Sequence, residues 1–151
     1  MGTVTIERSV ELDAAAEQVW AAARMPTAFR YVTRWVLRIT GLPRTGRFDQ
    51  GTRVEGWLLL GGVLPIHRHH LEVVRVDHAA MTLSSHEWGG VVRRWDHDIV
   101  VERLEGDRAR YTDRVLIDAG PLTVPVAGFA WLLYRYRQSR WRELVRHAPR
   151  R

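Results

Sequence analysis

Apolar residues recur mostly at every second position, in short runs broken by glycine, proline and aspartate. Thr3–Leu12 alternates, with Val4, Ile6 and Val10 on one side and Thr5, Glu7 and Ser9 on the other, the pattern of a half-buried strand. Asp13 then predicts a helix N-cap, because its carboxylate can accept from free backbone N–H groups. Ala14–Arg24 reads as a helix with Glu17 in its first turn and a stripe of Val19, Trp20 and Ala23. Pro26 ends it and opens a second helix, Thr27–Thr33, presenting Phe29 and Val32. Period-2 runs follow at Trp35–Thr40, Thr52–Leu60, Leu64–Val76, Ala80–Trp88, Arg93–Glu105 and Ala109–Asp118. Leu42–Gly51 is a loop, and Gly61-Gly62, Gly89-Gly90 and Gly106-Asp107 are turns, so the strands form an antiparallel meander.

Through Gly120-Pro121 the last strand runs into one long helix, Leu122–His147. At about 100° per residue, Val126, Ala130, Leu133, Arg137, Leu144 and Ala148 share a side, flanked by Phe129, Arg140 and Trp141. Arg135, Ser139, Arg142 and Arg146 lie opposite, and the first half is apolar nearly all round, which predicts first turns buried on both sides. Two long strands feeding such a helix imply a sheet wrapped around it, with room for a cavity between them. Arg137 stands out within the apolar stripe. It either extends its stem to carry the charge to solvent or pairs with a buried acid or a ligand anion.

On the last two strands, Trp95, His97, Ile99 and Val101 share one face, and Tyr111, Asp113, Val115 and Ile117 share the other strand's apolar face. The tight turn pairs the strands so that Ile99 opposes Asp113 or Val115, with His97 and Asp113 about a diagonal apart. An inward carboxylate needs a partner. His97 and Asp113 therefore form either a structural pair, satisfied by one another, Arg137 or a backbone amide, or a pair that orients a ligand or, with Tyr111, moves a proton.

His67-Arg68-His69-His70 puts His67 and His69 on one face and His70 on the other. Two histidines at this spacing can hold zinc if Glu55, Glu87 or His86 adds a third ligand, but no second spaced motif accompanies them, so a solvated or partly buried histidine pair is expected, with no metal and no cofactor. Trp35, Trp57, Trp88, Trp95, Trp131 and Trp141 either fill a core or line a pocket for a flat ligand. The paired glycines are turn chemistry or gates at a cavity mouth.

Composition narrows the function classes. The 151 residues contain no cysteine, which excludes disulfides and thiolate chemistry. All basic side chains other than histidine are arginine, and the formal net charge is +6. The arginines are interleaved with acids except at the C-terminal end (Arg135, Arg137, Arg140, Arg142, Arg146, Arg150, Arg151), and no recognition motif accompanies them, so nucleic-acid binding is not expected. A start without a basic segment and apolar run, and a longest apolar stretch cut by Arg135 and Arg137, predict no signal peptide, no membrane span and a cytoplasmic location.

The order of strand, two short helices, six strands and long helix resembles the Bet v 1-like superfamily, the START-related or SRPBCC proteins. Val10-Glu11-Leu12-Asp13-Ala14-Ala15-Ala16-Glu17-Gln18-Val19-Trp20 is similar to that family's entry segment. Trp95-Asp96-His97-Asp98-Ile99, Tyr111-Thr112-Asp113-Arg114-Val115 and Tyr136-Arg137 resemble its polyketide cyclase/dehydrase-like branch. The resemblance covers essentially residues 1–151 as one domain and implies an α+β helix-grip fold: a curved seven-stranded antiparallel sheet around a long C-terminal helix. It also implies binding or carriage of a hydrophobic or amphipathic small molecule, such as a lipid, polyketide or quinone. No catalytic signature of the family carries over. The expected lining is Trp95, His97, Tyr111, Asp113, Phe129, Leu133 and Arg137. Two alternatives stand beside carriage: a metal-free cyclase or dehydratase using His97, Asp113 and Tyr111, and a partner- or membrane-binding module using the basic C-terminal helix. Ligand identity and oligomeric state are not encoded in these patterns.

Overall fold

A computed structural model describes residues 2–147. Seven strands, β1 (Val4–Leu12), β2 (Leu37–Ile39), β3 (Arg53–Leu60), β4 (Leu64–Asp77), β5 (Thr82–Gly89), β6 (Val92–Leu104) and β7 (Arg108–Asp118), form one antiparallel sheet in the order β1-β7-β6-β5-β4-β3-β2. Each hairpin adds the next strand, whereas β1 returns to pair with β7, Val4 opposite Ile117 through Leu12 opposite Ala109. Consecutive strands β1 and β2 thus stand at opposite edges of the sheet. The helices α1 (Ala16–Ala23) and α2 (Pro26–Thr33) make the connection between those edges. The sheet curls into a half-barrel, and a short 3-10 turn, Gly120–Leu122, leads into α3 (Thr123–His147), which packs on β1, β7 and α2. This is the helix-grip architecture.

The alternation places the core. Val10, Leu12, Val101 and Tyr111 point inward and meet Val19 and Trp20 of α1, Val32 of α2 and Trp141 of α3. At the other end Ile6, Val115 and Ile117 pack on Ala127, Ala130 and Tyr134. The small Ala127 and Ala130 let the helix approach the sheet closely there.

Several details depart from the sequence expectations. The N-cap position of α1 falls on Ala15 rather than Asp13, because the chain bends at Asp13 and Ala14 before the helix begins. The strand expected over Trp35–Thr40 shrinks to Leu37–Ile39, since Trp35 takes a left-handed backbone with φ 75° and interrupts the pleat. The first turns of α3 are not buried on both sides: Val124, Trp131 and Leu132 face outward, because the half-barrel covers only one side of the helix. The buried stripe includes Tyr134 and Gln138 and favours Ala127 over Val126. Trp35, Trp57 and Trp131 are exposed and lie outside the core, whereas Trp20 and Trp141 are buried. Ala148, Arg150 and Arg151 lie outside the described residues. Among the described residues no helix is long and apolar enough to cross a membrane.

Two glycines give a test of this packing. A Cβ at Gly56 of β3 would lie 1.8 Å from the Thr40 carbonyl oxygen, because Thr40 crosses β3 to donate to the Trp57 carbonyl. Gly128 is helical and exposed, with nothing within 4 Å of its would-be Cβ. In urea unfolding, Gly56→Ala should destabilise by at least about 2 kcal/mol through forced backbone displacement, and Gly128→Ala should stabilise by about 0.5–1 kcal/mol through helix propensity. A neutral Gly56→Ala would show that Thr40 does not hold this crossing.

Candidate functional site

Between the curled sheet and the helices lies a cavity of about 390 Å³. Leu37 and Ile39 of β2, Leu58 and Leu60 of β3, and Val92 and Trp95 of β6 form its sheet side; Phe29 of α2 and Phe129, Leu133 and Tyr134 of α3 form its helix side. Leu60, Ile66, Val91 and Leu122 are exposed apolar residues at its edge. Leu60 precedes the Gly61-Gly62 turn and Val91 follows Gly89-Gly90, so both glycine turns stand at this end. Five polar side chains interrupt the apolar wall: Thr33, His67, His69, Glu87 and Arg137.

Arg137 is the exception that the sequence flagged, and it does not reach solvent. It is 5% exposed, and its guanidinium lies 5.0 Å from the Tyr134 ring centre and 5.5 Å from that of Phe29. Its Nε is buried without a hydrogen-bond partner, and among the described residues no carboxylate comes within ion-pair distance of it. Burial works against its charge, but the combined fields of Asp113, Tyr111, Tyr134 and Glu87 outweigh that and hold the guanidinium above its ordinary value. The result is a cation that stays charged yet is short of hydrogen bonds.

Both carboxylates that supply this field are occupied by a histidine. Asp113, 1% exposed, accepts from His97 Nε2 at 2.7 Å and from the Tyr111 hydroxyl at 3.1 Å through Oδ1. Its Oδ2 accepts from Gln138 Nε2 at 3.3 Å, and the same amide donates to the Arg8 carbonyl. The β6–β7 register, Ile99 opposite Asp113 and His97 opposite Val115, creates the diagonal that joins the pair. Burial alone would raise the Asp113 carboxyl; the His97 bond, the Arg137 field and the Gln138 bond together bring it below the usual carboxylate value. Burial pushes the Tyr111 and Tyr134 hydroxyls well up, so both stay protonated donors.

Glu87 is the second such carboxylate. Its Oε1 meets His69 Nε2 at 2.9 Å, and its Oε2 accepts from the Ser85 hydroxyl at 3.1 Å. His69 Nδ1 in turn meets His67 Nε2 at 3.1 Å. Burial would raise the Glu87 carboxyl, but His69, His97 and Ser85 hold it below its usual value. Of the other partners considered for these histidines, Glu55 pairs with Arg68 and His86 with Asp96.

The expected lining residues divide into two groups. Trp95, Phe129, Leu133 and Arg137 line the cavity. His97, Tyr111 and Asp113 come together, but behind that wall; His97 and Tyr111 border only a space of about 40 Å³. Sequence reasoning did not name Tyr134, which accepts from Trp95 Nε1 at 3.1 Å between Arg137 and His97, and it read His67 and His69 as a solvated or partly buried pair, with Glu87 considered only as a third zinc ligand. The inward parity of His67, His69, Ser85 and Glu87 was a usable signal. Among the described residues no group of three or more His, Asp or Glu side chains is arranged to hold a metal ion.

The fold has many counterparts among solved structures. Norcoclaurine synthase from Thalictrum flavum superimposes with a TM-score of 0.71 at 16% identity, over 97% of this chain and 96% of that one. Protein Ms6760 from Mycobacterium smegmatis gives 0.72 at 12% identity, over 97% and 93%. A START superfamily protein from the same organism gives 0.66 at 13% identity, over 93% and 98%. At these identities the likeness establishes a Bet v 1-like, START-related fold and nothing of activity. No curated protein matches the sequence. Residues 10–148 match the family described as "Domain of unknown function (DUF8410)", and the chain belongs to that family.

Proposed function

We propose that this protein binds a hydrophobic or amphipathic small molecule whose apolar body fills the cavity and whose acidic or carbonyl oxygen meets Arg137. One observation carries the reading: a charged guanidinium, nine-tenths and more buried, stands in an otherwise apolar wall with its Nε unpartnered. A buried cation without hydrogen bonds is costly, and an oxygen anion would repay that cost with charge-assisted bonds. The solved structures of similar fold support a ligand-holding scaffold, since the Thalictrum flavum synthase has been solved "in complex with dopamine and hydroxybenzaldehyde". A volume of about 390 Å³ is within the range of small-molecule pockets.

The His97–Asp113–Tyr111–Gln138 set is read here as a structural polar core rather than the reactive centre. Its carboxylate is fully engaged, and the space beside it is too small for a ligand. Accordingly, cyclisation or dehydration through His97 and Asp113 is not the reading we favour. Nor is a partner- or membrane-binding role for the basic C-terminal helix, one of whose arginines, Arg140, is already bonded to Glu143.

Native mass spectrometry of the purified protein, followed by solvent extraction and a panel with decanoate and decanol, tests the binding reading. Decanoate should give a discrete adduct, and Arg137→Met should weaken it by about ten- to a hundredfold, the worth of a charge-assisted bond. Decanol binding should change little. No adduct from any acidic or carbonyl-bearing member, or equal losses for acid and alcohol, would sink the assignment.

A structural role for Asp113 predicts how stability depends on pH. Its folded-state pKa lies below the unfolded value of 3.8, and that of Glu87 lies below 4.5. Both contributions are complete above those unfolded values and are lost as pH falls through the lower folded ones. Urea midpoints should decline gently below about pH 6.5, where unfolded His67 gains a proton that the folded protein disfavours, and fall steeply once pH drops below the unfolded carboxyl values. Asp113→Asn should cost on the order of 3–5 kcal/mol at neutral pH, by leaving Arg137 and His97 without their carboxylate, and should flatten the acid limb. An unchanged acid limb in that variant would exclude Asp113 as a cause of the acid sensitivity.

A further inference from the structure

The Glu87–His69–His67 chain is not used by the binding reading, and its order is specific. Glu87 sits at the closed end, 7% exposed, with both oxygens bonded. His69, 6% exposed, is in the middle. His67 is only half-buried and lines the cavity. On the inner face His69 is opposite Gly56 of β3, and Gly89 is next in line on β5. The missing side chain at Gly89 leaves room for the His67 ring, whereas the space beside Gly56 is taken by Thr40. A Cβ at Gly89 would lie 2.4 Å from His67 Cδ2, and one at Gly90 would lie 2.9 Å from His67 Cβ, so the turn seats the His67 ring.

The hydrogen bonds also fix where protons can be. With Glu87 ionised, His69 donates to it from Nε2. The facing pair His69 Nδ1 and His67 Nε2 shares one proton, because two protons would repel and none would leave two lone pairs in contact. With that proton on His67, both rings are neutral, and His67 Nδ1 is the one nitrogen of the chain with a free lone pair. Burial, with His69 and His70 nearby, holds His67 below its ordinary pKa, which favours this neutral form at neutral pH.

We propose that Glu87, His69 and His67 form a proton relay in which His67 Nδ1 takes a proton from the carbon next to a carbonyl of a molecule held in the cavity. The proposal rests on the binding reading above. In the step the C–H bond breaks and its electron pair becomes the C=C bond of an enolate. The carbonyl π pair moves to oxygen, and an N–H bond forms at Nδ1. The positive charge gained by His67 can pass inward, as its Nε2 proton shifts to His69 Nδ1 and the His69 cation then lies against the Glu87 carboxylate. Arg137, on the same cavity wall, is the cation available to the enolate oxygen. Return of the proton to carbon closes the cycle with no co-reactant, so the minimal activity is enolisation, seen as hydrogen exchange at carbon. His67 is the catalytic residue; His69 and Glu87 are positioning residues.

The test uses 2-tetralone, a bicyclic ketone with exchangeable α-protons, in deuterated buffer. Proton NMR follows loss of the α-CH₂ signal, and native mass spectrometry of the same sample follows binding. The wild-type protein should exchange the ketone at least about a hundredfold faster than an equal concentration of imidazole. His67→Gln should return the rate to that background with the adduct retained. Glu87→Gln should slow exchange at least about tenfold with binding retained. His86→Gln, on the outer face beside Asp96, should change neither. In the wild-type protein ¹⁵N shifts should read His67 as protonated on Nε2 and bare on Nδ1, which tests the proposal even if His67→Gln fails to fold. A 2-tetralone adduct without exchange, exchange unaltered in His67→Gln, or a proton on His67 Nδ1 would overturn the relay and leave the binding reading standing. Absence of both the 2-tetralone and the decanoate adduct would overturn both.

Discussion

A single buried cation organises the interior. Arg137 projects from α3 into the space between sheet and helix, and its charge would be untenable there without compensation. Compensation comes from Asp113 on one side and Glu87 on the other, but only through space. Each carboxylate gives its hydrogen bonds to a histidine and a hydroxyl instead: His97 and Tyr111 for Asp113, His69 and Ser85 for Glu87. The arginine is thus kept charged while its bonding capacity is left over. A structural ion pair would be built the other way, with the guanidinium closed onto a carboxylate. The separation makes sense if the missing partner is not part of the protein.

The strand topology creates the room for this arrangement. Because β1 returns to pair with β7, the sheet curls, and α3 closes its open side rather than lying flat upon it. Near β1 and β7 the alanines of α3 allow close contact. Toward β2, β3 and the start of β6, Phe29, Phe129 and Leu133 stand off from the sheet and the cavity remains. The same curl puts Glu87 and His69 on the concave face, within strands whose ladders shift register beside Glu87 and His67. The polar chain is therefore held by rigid strands rather than by loops, which is what a proton-transfer geometry needs.

Much of this was legible in the sequence, and what was not has identifiable causes. Period-2 alternation gave the strands and the inward faces of β6 and β7, and the tight turn at Gly106-Asp107 gave their register, hence the meeting of His97 with Asp113. The face of α3 was read less well, because alanine, tyrosine and glutamine weigh little in a hydrophobic pattern. Ala127, Tyr134 and Gln138 were missed for that reason, although they are the residues that seat the helix. The Glu87–His69 contact depends on the β4–β5 register, which a bulge between Val73 and Arg75 shifts by one residue. No local pattern announces that bulge. His67 and His69 could be placed on one face, but their link to Glu87 could not be distinguished from a partial metal set.

The two histidine–carboxylate pairs are chemically alike, and both lie in the field of the same arginine. They differ in access. His97 is sealed behind Tyr134 and Trp95, with Tyr111 and Gln138 completing the shell around its aspartate, so a proton there has nowhere to go. His69 has a second, less buried histidine as its outer neighbour, and both line the cavity with Glu87. The same donor–acceptor pair thus serves rigidity where the strand is covered and reactivity where it opens. On this reading the fold, shared with distant proteins of other activities, supplies the curled sheet, and the choice between holding a ligand and transforming it comes down to whether His67 has a free nitrogen within reach of it.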